Sequence, residues 1–96
     1  MQPLPESAYK YFWDINPAEL DVSAHPRYVI ERLLDHGDEP TLAWLFNRFS
    51  REEIISVLKN GRAISRYSAR KWATHFRISH EEIRVLNGSL PGVWPY

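Results

Sequence analysis

The sequence predicts an all-α protein, a compact bundle of about five short helices joined by short loops. Three observations carry this. Apolar residues recur at helical spacing in Val29, Ile30, Leu33 and Leu34, in Leu42, Leu45, Phe46 and Phe49, and in Ala69, Trp72, Ala73 and Phe76. Helix start and stop residues bracket these runs. No stretch alternates apolar and polar residues with the period of a strand. The 96 residues form one domain, with an irregular arm over 1–8 and an irregular tail over 88–96.

After the arm, Tyr9, Tyr11, Phe12 and Trp13 make an aromatic cluster, and Phe12 and Trp13 are expected to plug one end of the core. Pro17 disfavours helix at Asn16, which can instead cap a single turn over residues 17–20. Pro26 opens the first long helix, expected over Pro26–His36 with Gly37 at its end. Asp38, Glu39 and Pro40 open the next, with acids near the positive end of the helix dipole. Its apolar stripe leaves Trp44 on the other side, to pack on the N-terminal aromatics.

Ser50 and Glu53 form a capping box ahead of Ile54, Ile55 and Leu58, and Asn60-Gly61 ends that helix. Ser65 caps a helix through Ile78 with two stripes. Ala69, Trp72, Ala73 and Phe76 face inward, while Arg66, Arg70, Thr74 and Arg77 lie beside them. Ser79 with Glu82 reads as a second capping box, before Ile83, Val85 and Leu86.

The net charge of zero conceals a split. Residues 1–47 carry three basic and eight acidic side chains, a net of −5, and residues 48–77 carry eight basic and two acidic, a net of +6. Such a split points to an interaction surface, or to the two halves attracting each other within the fold. In the second case Arg66 and Arg70 would pair with Asp35, Asp38 or Glu39.

Several chemistries find no support. There is no cysteine, so neither disulfides nor thiolate chemistry enters. His25, His36, His75 and His80 have no partners at metal-ligand spacing. Ser65, Ser68 and His75 lack a third group to orient a nucleophile. No glycine-rich phosphate loop occurs. The chain therefore reads as non-enzymatic, with no metal and no cofactor. The longest apolar run, Leu42–Phe46, cannot span a bilayer, and no signal-peptide pattern is present, so a cytoplasmic protein is expected.

Residues 41–60 have helix-turn-helix lengths, which makes a small DNA-binding regulator the alternative to a protein-binding role. Its binding residues would be Arg51, Lys59, Arg62, Arg66 and Arg70. Glu52 and Glu53 count against it, because they occupy the turn that would meet DNA.

Phe12-Trp13-Asp14, then Glu31-Arg32-Leu33-Leu34 with Gly37, Trp44-Leu45-Phe46, Ile54 to Leu58, and Ser65 to Trp72 with Phe76 and Ile78 form an ordered set. Over Tyr11 to Ile78 this set resembles a family of small bacterial and archaeal proteins with no established activity. Members are often encoded beside nucleotidyltransferase-like toxins of the abortive-infection type. The resemblance implies an antitoxin-like partner of such a toxin. In that role Arg66, Arg70 and Arg77 would make charge-assisted contacts, and Trp94 and Tyr96, in a tail outside the resemblance, would supply buried anchor area.

Overall fold

The computed structural model describes residues 4–87. Trp94 and Tyr96, expected to anchor a partner, lie outside them. Five α-helices, α1 (Pro26–His36), α2 (Glu39–Arg48), α3 (Arg51–Asn60), α4 (Arg66–Phe76) and α5 (Arg84–Asn87), are joined by short loops and 3-10 turns. Among the described residues there is no strand, and no helix is long and apolar enough to cross a membrane.

Each long helix begins for a local reason. Pro26 stands in the first turn of α1, where its missing N–H leaves no bond unmade. At α2, Asp38 accepts from the Thr41 N–H while the Thr41 hydroxyl accepts from the Asp38 N–H, a reciprocal box. Ser50 and Glu53 close the same kind of box at α3. The Ser65 hydroxyl accepts from the Ser68 N–H at α4.

Gly37 and Gly61 end α1 and α3 through close approach and not through a left-handed backbone, since both have φ −65. A Cβ at Gly37 would lie 2.5 Å from the Leu33 carbonyl oxygen, and one at Gly61 2.7 Å from that of Val57.

The helix α1 is central, packing against α2, α3 and α4, while α3 and α4 pack on each other. α5 and the 3-10 turn His80–Glu82 close over one end. Phe12, Val22, Val29, Ile30, Leu33, Leu45, Ile54, Leu58 and Ile83 are fully buried. α2 lies on α1 and on the N-terminal segment instead of along α3, so the pairing that a helix-turn-helix over 41–60 needs is weak.

Four expectations change. Within the expected arm, residues 6–8 belong to a 3-10 helix, Glu6–Tyr11, which places Ala8 in the core. Trp13 does not plug the core but is 66 % exposed, while Phe12 fills that role alone. Trp44 packs edge-on against Phe49. The box at Ser79 is incomplete: its hydroxyl accepts from the Glu81 N–H, and the Glu82 carboxylate turns to Lys59 at 3.0 Å.

Arg32 ties the N-terminal segment to α1. Arg32 donates to both oxygens of Asp14 at 2.9 and 3.0 Å and to the Tyr11 carbonyl, and its guanidinium lies 4.6 Å from the Trp13 ring centre. The Tyr28 hydroxyl donates to the same Asp14 carboxylate. The Arg32 hydrogen bonds hold the Asp14 carboxyl at about 2, well below its ordinary range. A depressed carboxyl stabilises the fold above its unfolded value and loses that contribution as pH falls through its folded value. Asp14→Asn should therefore lower the melting temperature at neutral pH and flatten its fall between about pH 4 and pH 2. Melting curves by circular dichroism at stepped pH check this, and an unchanged slope would remove Asp14 from the acid transition.

Candidate interaction surface

The basic helix α4 is positioned by α1 through a series of side-chain clasps. Arg27 donates to the Asn60 carbonyl at 2.8 Å. The buried Glu31 carboxylate accepts from the Arg62 and Ala63 N–H groups at 3.1 and 2.7 Å, and from Arg27. One turn on, the Asp35 carboxylate accepts from the Ser65 hydroxyl at 2.7 Å, and the Asp35 carbonyl from that of Ser68. Finally the Trp72 indole N–H donates to the Leu34 carbonyl at 2.8 Å.

Leu34 and Asp35 belong to the last turn of α1, whose carbonyls have no partner within the helix. Side chains of α4 therefore finish the end of α1. Burial pushes the Asp35 carboxyl up, but hydrogen bonds from Ser65 and Ser68 and the nearby His36 outweigh it, and the net shift is downward.

These clasps fix the rotation of α4. Ser68, Ala69, Trp72, Ala73 and Phe76 point inward. Arg66, Tyr67, Arg70, Lys71, Thr74 and His75 form the exposed outer face, which contains no acid. Tyr67, 75 % exposed, stands among the cations.

The candidate residues separate into groups. Arg66 and Arg70 share this face, and Arg62 lies exposed just before it. Arg66 donates to the Val85 carbonyl at 2.9 Å, while no ion pair of Arg62 or Arg70 occurs among the described residues. Arg77 leaves the stripe on which its spacing placed it. The helix closes at Phe76 with Arg77 left-handed (φ 58), and the N–H groups of Arg77 and Ile78 turn back to the Thr74 and Ala73 carbonyls. Lys59 is engaged with Glu82. Arg51 starts α3, a helix of 10 residues with Lys59 near its other end, and lies 5.2 Å from the centre of the Phe76 ring. The basic segment is therefore not one patch.

The expected pairing of Arg66 and Arg70 with Asp35, Asp38 or Glu39 does not form. Asp35 is held by the serines, and Asp38 by Thr41 and by Lys10 at 3.3 Å. Lys10, Arg27 and Arg32, the basic residues of the acidic segment, each pair with an acid of that same segment.

Spacing on the predicted α4 named the arginines but missed Tyr67 and Lys71, which occupy the middle of the exposed arc. It also missed Glu31, whose role depends on a loop 31 and 32 residues away. A concavity of about 200 Å³, lined by Trp13, Tyr28, Glu31, Arg32, Asp35 and His36 among others, has its principal charged groups already bonded to the protein. Among the described residues no group of three His, Asp or Glu side chains could share a metal ion.

Fold and surface together define a small helical protein built around a central helix that presents a basic, tyrosine-bearing neighbour. The chain belongs to a family of unknown function, DUF6922, whose model matches residues 8–58. The match covers the N-terminal segment and α1 to most of α3, and stops before α4. No curated protein and no solved structure matches the chain.

Proposed function

We propose that this is a non-enzymatic interaction protein of the antitoxin type, acting in the cytoplasm by docking on a toxin enzyme and covering its active site or substrate path. The outer face of α4 supports this reading. It offers Arg66, Arg70, Lys71 and Tyr67 on one rigid helix, with no acid among them. Tyrosine and arginine are the residue types that dominate binding energy at protein interfaces. Guanidinium forks suit the carboxylates of an acidic partner surface. The resemblance to proteins encoded beside nucleotidyltransferase-like toxins supplies the kind of partner. An α2–α3 DNA reader gains less support, because α2 is not laid along α3 and Arg51 leans on Phe76.

The test is co-expression with the product of the neighbouring gene, expected on this reading to be a nucleotidyltransferase-like toxin. The two should co-purify, and toxicity should fall. Tyr67→Ala and Arg70→Glu should each weaken the complex by about 30-fold or more while leaving the helical circular-dichroism signal intact. Failure to co-elute, with toxicity unrelieved, would sink the antitoxin reading.

A further inference from the structure

Where the C-terminal end of α4 meets α2 and the start of α3, a second surface has a different character. An open cavity of about 220 Å³ is lined by Phe46, Arg51, Ile54, His75 and Phe76. Phe46, on α2, is 39 % exposed, a large aromatic side chain left partly in water. Its ring and that of His75 lie nearly parallel, at 17°, with centres 6.4 Å apart. Both stand steeply on the rings beneath them. Phe46 meets Trp72 at 68° and Phe76 at 80°, and His75 meets them at 81° and 84°.

The result is two near-parallel aromatic walls on an aromatic floor. Both rings line the open slot beside Phe76, where an incoming planar ring can stack on an exposed aromatic face.

The surrounding charge selects among planar ligands. The Arg51 guanidinium sits on the Phe76 floor at 5.2 Å. Lys71 lies one helical turn before His75, and the exposed Arg77 follows Phe76 directly. These cations disfavour a cationic guest and favour one that carries phosphate. The acids that weakened the case for nucleic acid face elsewhere. Glu52 and Glu53 line a different cavity, with Pro26, Arg27 and Ile30, on the α1 side of α3.

We infer that the Phe46–His75 slot binds an unpaired base of single-stranded nucleic acid, with Arg51, Lys71 and Arg77 along the adjoining phosphates. Stacking on aromatic side chains tolerates any base. It uses no group on the sugar, so DNA and RNA strands both bind. A duplex keeps its bases stacked internally and offers the slot nothing. The inference shares Lys71 with the toxin-partner reading but does not depend on it, because that reading is tested at Tyr67 and Arg70 and this one at Phe46 and His75.

Fluorescence anisotropy with short dye-labelled oligo(dT), oligo(U) and a duplex of equal length tests it at low and rising salt. Both single strands should bind and the duplex should bind far more weakly. His75→Ala and Phe46→Ala should each weaken single-strand binding by about 5- to 150-fold, whereas His75→Tyr, which restores a ring, should retain most of it. His75 is exposed, so its variants leave the core untouched. Circular dichroism verifies that Phe46→Ala is folded.

Several results would overturn the inference. One is no binding of either strand at low salt; another is affinity unchanged by His75→Ala and Phe46→Ala, which would mean phosphate attraction alone. Equal binding of the duplex would also overturn it. So would a toxin complex that requires Phe46 and His75 while no oligonucleotide binds, because a protein side chain would then occupy the slot.

Discussion

Replacing Trp72 with alanine is expected to cost about 3–5 kcal/mol, the range for deleting a large buried aromatic side chain. Small domains hold roughly 5–15 kcal/mol in total, so this change alone removes a large share. Trp72 is 5 % exposed and serves two structures at once. Its ring fills the space between α1 and α4 and supports Phe46 and Phe76. Its indole N–H completes the Leu34 carbonyl at the end of α1.

The two contributions separate with a second variant. Trp72→Phe keeps most of the apolar volume but leaves that carbonyl without its donor, which should cost about 1–3 kcal/mol. Urea denaturation followed by circular dichroism measures both. A Trp72→Phe variant within a few tenths of a kcal/mol of the wild type would show that packing alone matters at this site.

The second large effect is expected at Glu31. Glu31→Ala removes the acceptor of two loop N–H groups and of Arg27 in one step. Hydrogen bonds to a charged group contribute about 1.5–3 kcal/mol each, and water can reach the exposed Arg62 and Ala63, so a loss of about 2–4 kcal/mol is expected. The damage should be local as well as global. Amide hydrogen exchange at Arg62 and Ala63 should accelerate more than exchange within α2, which makes no use of Glu31. Glu31→Gln keeps one acceptor oxygen and should recover part of the loss. Equal acceleration across all helices would mean that Glu31 contributes only to global stability.

Local chemistry made much of the fold legible. Asp38, Ser50 and Ser65 announce helix starts through short-range bonds to neighbours three residues away, and Pro26 does so by lacking an N–H that the first turn would leave unbonded. The ends at Gly37 and Gly61 follow for a related reason, although the structure uses these glycines for close approach and not for a left-handed turn. The inward face of α4 was readable from the spacing of Ala69, Trp72, Ala73 and Phe76.

What could not be read from spacing depends on distant partners. The sequence around Glu31 carries no sign that its carboxylate will meet a loop on the far side of α3. Trp13 carries none that Arg32 will hold it at the surface. Arg77 fits a helical stripe by spacing, yet the turn back to Ala73 and Thr74 removes it. The near-parallel Phe46 and His75 rings come from α2 and α4, which spacing within one helix cannot relate.

The clasps also bear on the order in which the chain acquires its structure. They join residues between 30 and 38 positions apart. A growing chain that has released only α1, α2 and α3 holds a Glu31 carboxylate with no loop to bind and Leu34 and Asp35 carbonyls with no donor. Closing so long a loop precedes any gain from the contact, so docking of α4 on α1 should be a late, rate-setting event. The family match, ending at residue 58, stops short of the first clasp at Asn60. The stretch by which the family is recognised therefore ends before the groups that bond to Glu31, Leu34 and Asp35.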